Sequence, residues 1–270
     1  MKEKEKQLKE ILQSLGSVLV AYSGGVDSTL LLKVAKDVLN DNVLAVMASS
    51  ATYPEEELKS AAKLADSMGA RHITIETDEL SDERFLENSK DRCYFCKLEL
   101  FSKLKDVAKK EGLKFVADGS NVDDKTDYRP GSRAKEELGI RSPLAEAGFT
   151  KQDIRGFSRE LNLPTWEKPS LACLASRIPY GTRITDEVLG KIEEAERFIR
   201  NLGFKEVRVR HHDYIARVEL GKDEIPKILD EEVMDDISKK LDSLGYTYVT
   251  VDLKGYRTGS MNEVLKEEES

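Results

Sequence analysis

The sequence predicts an α/β protein, with a doubly wound parallel sheet in its first part and a smaller α+β domain after it. Short apolar runs alternate with amphipathic stretches of helical length as far as residue 165, a pattern typical of parallel strands buried between helices. A stretch containing Pro and Gly over 163–185 then interrupts this pattern. We therefore predict a first domain over 1–165, a linker over 166–184 and a C-terminal domain over 185–270.

The elements of the first domain follow from their periodicity. Val- and Leu-rich runs predict strands, and apolar residues three and four apart predict helices. Thr150 is a suitable N-cap for the last of these helices, and residues 119 to about 141 are expected to form a loop. The predicted strands are 17–22, 43–48, 71–75 and 114–118, and the predicted helices are 2–14, 27–39, 54–68, 94–111 and 150–161.

The C-terminal domain has a different order of elements. A helix is predicted over 186–202, and it is followed by two alternating strands over 207–211 and 215–220. A helix over 231–244 and a strand over 246–253 complete the domain. Consecutive strands followed by a helix indicate an α+β arrangement.

The composition excludes several classes of protein. The 270 residues include 43 Lys or Arg and 51 Asp or Glu, and the net charge of -8 argues against broad, non-specific binding of nucleic acid. No run of about 18 apolar residues occurs, and the charged start lacks the apolar core of a signal peptide. We therefore expect no membrane span and a cytoplasmic location. Three cysteines do not make a disulfide framework.

The most informative motif is SGGVDS, residues 23–28, between the first strand and the second helix. Gly24 and Gly25 permit a tight turn in which backbone N–H groups approach a phosphate, and the start of the helix favours an anion. Ser23 and Ser28 add hydroxyl donors. No Lys follows the glycines, and the spacing G-x-G-x-x-G is absent, so neither the loop of kinases and GTPases nor a dinucleotide fold is indicated. A simple tight turn before a helix is the alternative.

SGGVDS after a first strand resembles the PP-loop signature of the N-type ATP pyrophosphatases, whose fold is called adenine nucleotide alpha hydrolase-like. Enzymes of this superfamily split ATP between the α- and β-phosphates, transfer AMP to an acceptor and release pyrophosphate. The resemblance implies that residues 23–28, Val26 included, hold the departing pyrophosphate. It also implies that Asp27 helps to hold Mg²⁺, which would neutralise the charge of the leaving group.

Two further groups of residues follow predicted strands of this domain. Ala48 and Ser49, after the second strand, would lie near the adenosine, because ligands bind at the carboxyl ends of parallel strands. The same rule places Asp118, Gly119 and Asn121 at the mouth of the fourth strand. A plain polar turn is the alternative for these three residues.

The three cysteines form a pair and a single residue. Cys93 and Cys96 make up a C-x-x-C motif, which indicates a redox pair or half of a metal site, whereas Cys173 lies alone in SLACLASRIPYG. A structural zinc site needs four ligands, and none of the three histidines has zinc-finger spacing. Thiolates suit iron–sulfur clusters, and three of them would leave a fourth iron free for another ligand. Zinc, redox chemistry or inert buried cysteines are the alternatives.

A PP-loop, an internal C-x-x-C and a later lone Cys together resemble the cluster-dependent tRNA thiolases. The segments DRCYFCK, KPSLACLASRIPYG and GFKEVRVRHH are similar to the LarE family, and this resemblance covers essentially the whole chain. LarE enzymes contribute to the nickel-pincer cofactor of lactate racemase. They adenylate a carboxylate of pyridinium-3,5-biscarboxylic acid mononucleotide with ATP and convert it to a thiocarboxylate.

The LarE family has two lineages that differ in the source of sulfur. In one, a single cysteine at the position of Cys173 gives up its own sulfur. In the other, three cysteines hold a [4Fe-4S] cluster that carries an extra sulfide to the substrate. Because Cys93 and Cys96 accompany Cys173, the resemblance implies the second lineage, with a sacrificial Cys173 as the alternative.

The remaining candidate residues lie near Cys173 and in the C-terminal domain. By their position, Ser176, Arg177 and Arg183 are candidate substrate contacts, and we expect Ser176 and Arg177 to act with Asp27 and Cys173 in catalysis. Similarity to the family implies Glu196 and Glu219 as metal ligands, with plain surface charge as the alternative.

Two arginines alternate on a predicted strand of the C-terminal domain. Arg208 and Arg210 face one side of that strand, and His212 continues the same face. Guanidinium groups there would bind a phosphate or carboxylate of the substrate. A solvated strand face is the alternative.

These predictions describe an ATP-dependent sulfur transferase with ATP, Mg²⁺ and a [4Fe-4S] cluster as cofactors. Its partners would be the small mononucleotide and sulfide or a sulfur donor system. We expect a homo-oligomer, no membrane contact and no nucleic acid. A tRNA thiolase is one alternative, but it would need a basic surface. A non-catalytic nucleotide- or metal-sensing module is another, and it would bind ATP without releasing pyrophosphate.

Overall fold

The chain divides into two compact units, which we describe one at a time. The computed structural model describes residues 1–125, 131–169, 172–257 and 259–262. The first unit comprises Met1–Phe85 and Lys90–Leu171, and the second comprises Leu86–Ser89 and Ala172–Ser270. Four residues that lie early in the chain therefore belong to the second unit, and no change of composition marks them.

A four-stranded parallel sheet forms the centre of the first unit. Its strands are β1 (Val18–Ala21), β2 (Val43–Ser49), β3 (His72–Glu76) and β4 (Phe115–Ala117), in the order β3-β2-β1-β4. Val20 of β1 pairs with Ala45 on one side and with Ala117 on the other. The chain thus moves outward from β1 to β3 and then returns to the opposite side of β1, which confirms the predicted doubly wound sheet.

Helices pack on both faces of this sheet, because alternate strand residues point to opposite faces. Val18 and Val20 belong to one apolar core with residues of the early and late helices, whereas Leu19 packs in a second core with Phe101 and Leu104. Among the described residues, no helix combines the length and the apolar character needed to cross a membrane. The helices are α1 (Lys2–Leu15), α2 (Val26–Leu39), α3 (Glu55–Ser67), α4 (Glu83–Leu86), α5 (Arg92–Lys110), α6 (Gly131–Leu138), α7 (Pro143–Glu146) and α8 (Lys151–Glu160).

The segment after β4 is more ordered than predicted. Instead of a loop to about residue 141, it contains a 3₁₀ turn at Val122–Lys125 and helix α6. α6 has only eight residues and buries Ala134 completely while packing against α5. A helix this short is stabilised by tertiary packing rather than by its own periodicity, so the sequence pattern did not predict it.

The second unit is built on a three-stranded sheet with two helices. Its elements are α9 (Asp186–Asn201), β5 (Val207–His212), β6 (Ile215–Leu220), α10 (Glu231–Ser243) and β7 (Tyr248–Val251). β5 pairs antiparallel with β6, and β6 pairs parallel with β7. Val207 and Val209 pack with Ile199 of α9 and Leu241 of α10 in one core. The predicted α+β arrangement is confirmed.

Candidate active site

The turn from β1 into α2 requires glycine at position 24 but has room for a side chain at position 25. Gly24 has a φ of 65°, and a Cβ there would lie 2.6 Å from the Cβ of Ala61 on α3. Gly25 has an ordinary φ of -78° and is the N-cap of α2. Within the described residues, no side chain caps this helix, so its first amides are available to an anion.

Hydroxyl groups surround this turn. The Ser23 amide donates to the Ser28 hydroxyl at 3.3 Å, and the two serine hydroxyls lie 3.2 Å apart. The Tyr53 hydroxyl donates to the Ser23 carbonyl at 2.6 Å, and burial raises the pKa of Tyr53 above its ordinary range. Val26 is buried in the core, so its backbone alone is available to a ligand.

The turn after β4, which was expected at the mouth of the nucleotide site, lies against the phosphate loop. A Cβ on Gly119 would lie 2.9 Å from the Ser28 amide nitrogen and 3.2 Å from the Cβ of Asp27. The Asn121 side-chain amide donates to Asp27 Oδ1 at 3.2 Å. Gly119 therefore keeps the Ser28 amide uncovered, and Asn121 orients the carboxylate predicted to hold Mg²⁺. One carboxylate is enough for such a site, because Mg²⁺ takes most other ligands from phosphates and water.

Asp118 has partners other than the phosphate loop. Its carboxylate accepts hydrogen bonds from the hydroxyls of Ser142 at 2.6 Å and Ser120 at 2.7 Å. Lys135 of α6 forms an ion pair with it at 3.1 Å. The contact with α6 could not be foreseen, because α6 was predicted as loop. Ala48 and Ser49 lie partly exposed at the end of β2, where the Ser49 carbonyl accepts from the Thr77 amide at 3.0 Å.

Two lysines from distant parts of the chain lie beside the phosphate loop, and neither was predicted to do so. Lys151, the first residue of α8, forms an ion pair with Asp27. Lys168 donates to the Gly24 carbonyl at 3.1 Å and pairs with Glu57 at 2.8 Å. They are 124 and 144 residues from Asp27 and Gly24 respectively, so no local motif contains them. The predicted N-cap at Thr150 was the one signal that placed a helix start here.

Cys93 and Cys96 occupy the first turn of α5, in the first unit. Residues three apart on a helix share a face, so both thiols can ligate one metal group. Cys93 is exposed and Cys96 is partly exposed, and neither forms a disulfide. The Cys96 thiol lies 3.8 Å from Glu79 Oε1, a buried carboxylate oxygen that also accepts from the Thr77 hydroxyl at 3.0 Å.

Cys173 lies in the second unit, at the start of a 3₁₀ turn over Leu174–Arg177, and it is a partly exposed free thiol. The Arg177 side chain folds back on this turn. Its Nη1 donates to the carbonyls of Ala172 at 2.7 Å and Cys173 at 3.0 Å. Its Nε and Nη2 form a bidentate pair with Glu196 of α9, at 2.8 and 3.0 Å.

A second buried arginine holds the same turn from β5. Arg210 Nη1 donates to the Ser176 carbonyl at 3.2 Å, and its Nη2 donates to Glu219 of β6 at 2.6 Å. Glu219 also accepts from the Ser260 hydroxyl at 2.8 Å and pairs with Arg217 at 3.3 Å. The Cys173 turn is thus supported by two buried arginines, and each arginine is bound to a buried glutamate.

The strand face that carries Arg208 and Arg210 is buried, so the alternative of a solvated strand face is wrong. Both arginines are only 5% exposed. The pKa of Arg208 is lowered mainly by burial and, to a smaller extent, by repulsion from Arg177. His212 continues this face. Its pKa is lowered mainly by burial and, to a smaller extent, by the positive charge of Arg217. Arg183 lies exposed before α9.

Glu196 and Glu219 were predicted as metal ligands, with surface charge as the alternative, and the structure excludes the surface position. Both are fully buried, and the arginines of this unit bind their carboxylate oxygens. Burial alone would raise the pKa of Glu196, but Arg177 and Arg200 outweigh it and the pKa is lowered. In the described parts of the chain, no group of three or more His, Cys, Asp or Glu side chains is arranged to hold a metal ion. The metal role of these two glutamates stays a prediction.

The fold and the phosphate loop define the class of this protein. A doubly wound sheet with an SGG turn at the point where the strand order reverses, and an uncapped helix start behind it, is a PP-loop nucleotide site. A family model described as NAD synthase matches residues 1–98, which contain β1, β2, β3 and this loop. The class is therefore that of the PP-loop ATP pyrophosphatases.

Relatives of nearly full length define the family. Over 263 residues, 97% of this chain and 95% of the relative, the chain is 43% identical to the pyridinium-3,5-bisthiocarboxylic acid mononucleotide synthase of Lactiplantibacillus plantarum. It is 42% identical to an uncharacterized protein of Synechocystis sp., over 98% of this chain and 99% of that one. An uncharacterized protein of Methanocaldococcus jannaschii is 33% identical over 89% of this chain and 91% of its own length. The chain belongs to the LarE family, and the prediction of an ATP-dependent enzyme is confirmed.

Proposed function

We propose that this chain is an ATP-dependent sulfur transferase of nickel-pincer cofactor biosynthesis. Its substrate would be pyridinium-3,5-biscarboxylic acid mononucleotide, one carboxylate of which becomes a thiocarboxylate. The observation that carries the proposal is the phosphate loop, whose amides Gly119 leaves uncovered and whose Asp27 is oriented by Asn121, in a chain 43% identical over 97% of its length to a pyridinium-3,5-bisthiocarboxylic acid mononucleotide synthase.

The first half of the reaction is adenylation at the phosphate loop. A carboxylate is a poor electrophile, so one of its oxygens attacks the α-phosphate of ATP, and the bond to the β-phosphate breaks. The amides at the start of α2 face the charge that develops on the leaving pyrophosphate. Lys168 and Lys151 add positive charge beside them. Asp27, which here pairs with Lys151, would hold Mg²⁺ when nucleotide is bound, and the ion would neutralise charge on the leaving pyrophosphate.

The substrate is a small anion, and the arginines of the second unit suit it. Arg208 of β5 and the exposed Arg183 are the candidates for binding it, because Arg210 on the same face of β5 already binds Glu219, Ser260 and the Ser176 carbonyl. A phosphate bound beside Arg208 would stabilise its charged form, which burial and repulsion from Arg177 disfavour. This supports a mononucleotide substrate over a long nucleic acid, in keeping with the acidic net charge of -8.

The second half of the reaction delivers sulfur to the acyl-adenylate. Cys93 and Cys96 lie one helical turn apart on α5 and so suit two ligand positions of an iron–sulfur cluster, and the resemblance to the family implies Cys173 as the third ligand. These three residues would hold a [4Fe-4S] cluster, which when bound supplies a sulfide nucleophile and can be reloaded. Sulfide, or a donor that delivers it, is the second substrate. AMP leaves as the thiocarboxylate forms.

Three variants test this proposal in the reconstituted full chain. Cys93→Ala should release pyrophosphate at the wild-type rate but form much less than one thiocarboxylate per chain, because the cluster is lost. Cys173→Ala should release pyrophosphate and form none. Gly24→Val should abolish both steps. Multiple turnovers by Cys93→Ala would contradict the cluster, and one turnover with loss of the Cys173 sulfur would indicate the sacrificial route.

The same assays separate the alternative functions. A sensing module would bind ATP and release no pyrophosphate with the pyridinium substrate. A tRNA thiolase would release pyrophosphate with tRNA and would bind it in a gel shift at physiological salt. Iron and sulfide analysis with a visible spectrum, done without oxygen, measures cluster content directly.

A further inference from the structure

The turn that carries Cys173 is held from inside the second unit by one guanidinium group. Arg177 Nη1 is within 2.7 to 3.1 Å of three oxygens, those of the Ala172 and Cys173 carbonyls and the Ser176 hydroxyl. The other two nitrogens bind Glu196. All three nitrogens of Arg177 are therefore engaged within the protein, and its side chain is 2% exposed.

We propose that Arg177 and Glu196 are positioning residues for Cys173, and that Arg177 does not contact the substrate. This inference rests on the proposed function only in taking Cys173 as the residue that delivers sulfur. Each of the three nitrogens of Arg177 donates within the protein and its side chain is buried, so this guanidinium group is not open to a ligand. The predicted role of Arg177 as a substrate contact is thereby replaced by one that acts through the Cys173 turn.

Glu196 fixes the arginine in place. It lies on α9 and is fully buried, and its carboxylate accepts from Arg177, from Arg200 at 2.5 Å and from the Val209 amide at 3.1 Å. Helix α9 and strand β5 are thus joined at one carboxylate, which offers Arg177 a rigid anchor. The bidentate pair with Glu196 permits a single orientation of the Arg177 guanidinium group. In that orientation Nη1 donates to the carbonyls of Ala172 and Cys173.

Because Arg177 binds the carbonyls of Ala172 and Cys173, it fixes the backbone before and after the Cα of Cys173. The Cys173 carbonyl accepts from Arg177 and also from the Ser176 amide at 2.9 Å, so both of its lone pairs are used. Arg210 holds the far end of the turn through the Ser176 carbonyl. Sulfur transfer to an acyl-adenylate needs its reacting atoms aligned, and a displacement of about 1 Å costs about 100-fold in rate.

The test compares Arg177→Gln and Arg177→Lys with Arg200→Gln in the full chain. Arg200 is the matched control, because it binds Glu196 but not the turn. Hydrogen–deuterium exchange of residues 172–178 should be about tenfold faster in Arg177→Gln and unchanged in Arg200→Gln. Should Arg177→Gln not fold, Arg177→Lys carries the test. A lysine keeps a positive charge beside the Glu196 carboxylate, but it cannot bind that carboxylate and both carbonyls at the same time.

The two half-reactions separate positioning from substrate binding. Arg177→Gln should lose about 100-fold in thiocarboxylate formation and less than about twofold in pyrophosphate release. A parallel loss in both steps would overturn the inference in favour of a substrate contact. Unchanged exchange of 172–178 in both Arg177 variants would also overturn it. If the wild-type chain forms no thiocarboxylate, the proposed function fails, while the exchange measurement still decides whether Arg177 holds the turn.

Discussion

The two units handle charge in opposite ways. The phosphate loop of the first unit relies on backbone amides and on lysines that stay partly exposed, such as Lys151 and Lys168. The Cys173 turn of the second unit relies on fully buried pairs, Arg177 with Glu196 and Arg210 with Glu219. The first arrangement leaves donors open for a ligand, and the second uses nearly all of its donors within the protein.

This difference determines how each site should respond to mutation. A buried ion pair that loses one partner leaves an uncompensated charge, which is strongly destabilising. A loop that binds through backbone amides depends on its backbone conformation and on close approach to its neighbours, and glycine permits both. We therefore expect charge changes to damage the second unit and volume changes to damage the phosphate loop.

The largest effect should come from Glu196→Gln. It leaves Arg177 and Arg200 without their shared carboxylate and should lower the free energy of unfolding by about 3–5 kcal/mol, as measured by urea denaturation. Glu194→Gln, on the same helix but in a partly exposed pair with Lys240, should cost about 1 kcal/mol or less. Equal costs for the two variants would show that burial of the pair is unimportant.

Gly24→Ala should come next. The positive φ and the 2.6 Å approach to the Ala61 Cβ should together cost about 2–4 kcal/mol of stability. Gly25→Ala is the control, because its φ is -78° and the nearest atom to a new Cβ, the Ser23 hydroxyl oxygen, is 3.4 Å away. Thermal and urea unfolding of both variants measure the difference, and a more damaging Gly25→Ala would contradict this account of the turn.

Lys168→Met should lower kcat/KM for ATP by about 10- to 100-fold, because it removes a cation beside the phosphate loop. Its stability should change little, since Lys168 and its partner Glu57 are both partly exposed. Lys63→Met, an exposed residue of α3, controls for loss of one positive charge. Pyrophosphate release at varied ATP measures the effect, and similar losses in both variants would exclude a specific role for Lys168.

Asp153→Asn should have the smallest effect, and a pH-dependent one. A hydrogen bond from Lys4, followed by one from the Thr150 amide, lowers the pKa of Asp153 to about 2. Because the folded pKa lies below the unfolded value, the carboxylate stabilises the protein above about pH 4, and this contribution is lost as the pH falls towards about 2.

At neutral pH the variant should lose about 1 kcal/mol, a value reduced by solvent screening. Urea denaturation should show the difference at pH 7 and its disappearance near about pH 2. Asp37→Asn, in an exposed pair with Lys33, controls for surface charge. A difference that persists or grows at low pH would contradict the assignment. Since Asp153 caps α8, loss of the cap also tests how firmly Lys151 is held beside Asp27.

The fold was predictable where its signals were local. The apolar runs of β1 to β4, the N-cap at Thr150 and the SGGVDS turn are each encoded within a few residues, and the structure has all of them where they were expected. Helix α6 was missed because one buried residue, Ala134, and its packing on α5 stabilise it. The polar residues of the second unit were identified from the sequence, but their burial and the pairing of Arg177 with Glu196 were not.

The sequence by itself determined the class of chemistry, because a phosphate loop is a contiguous backbone feature whose glycines and helix start are adjacent in the chain. It also determined the family, through the segments around the cysteines. Only the tertiary structure decided which charged residues are open to a ligand and which are used up within the protein. Lys168 reaches Gly24 across 144 residues, and Arg177 meets Glu196 across 19. Burial and pairing depend on such distant neighbours, and no local pattern of residues reports them.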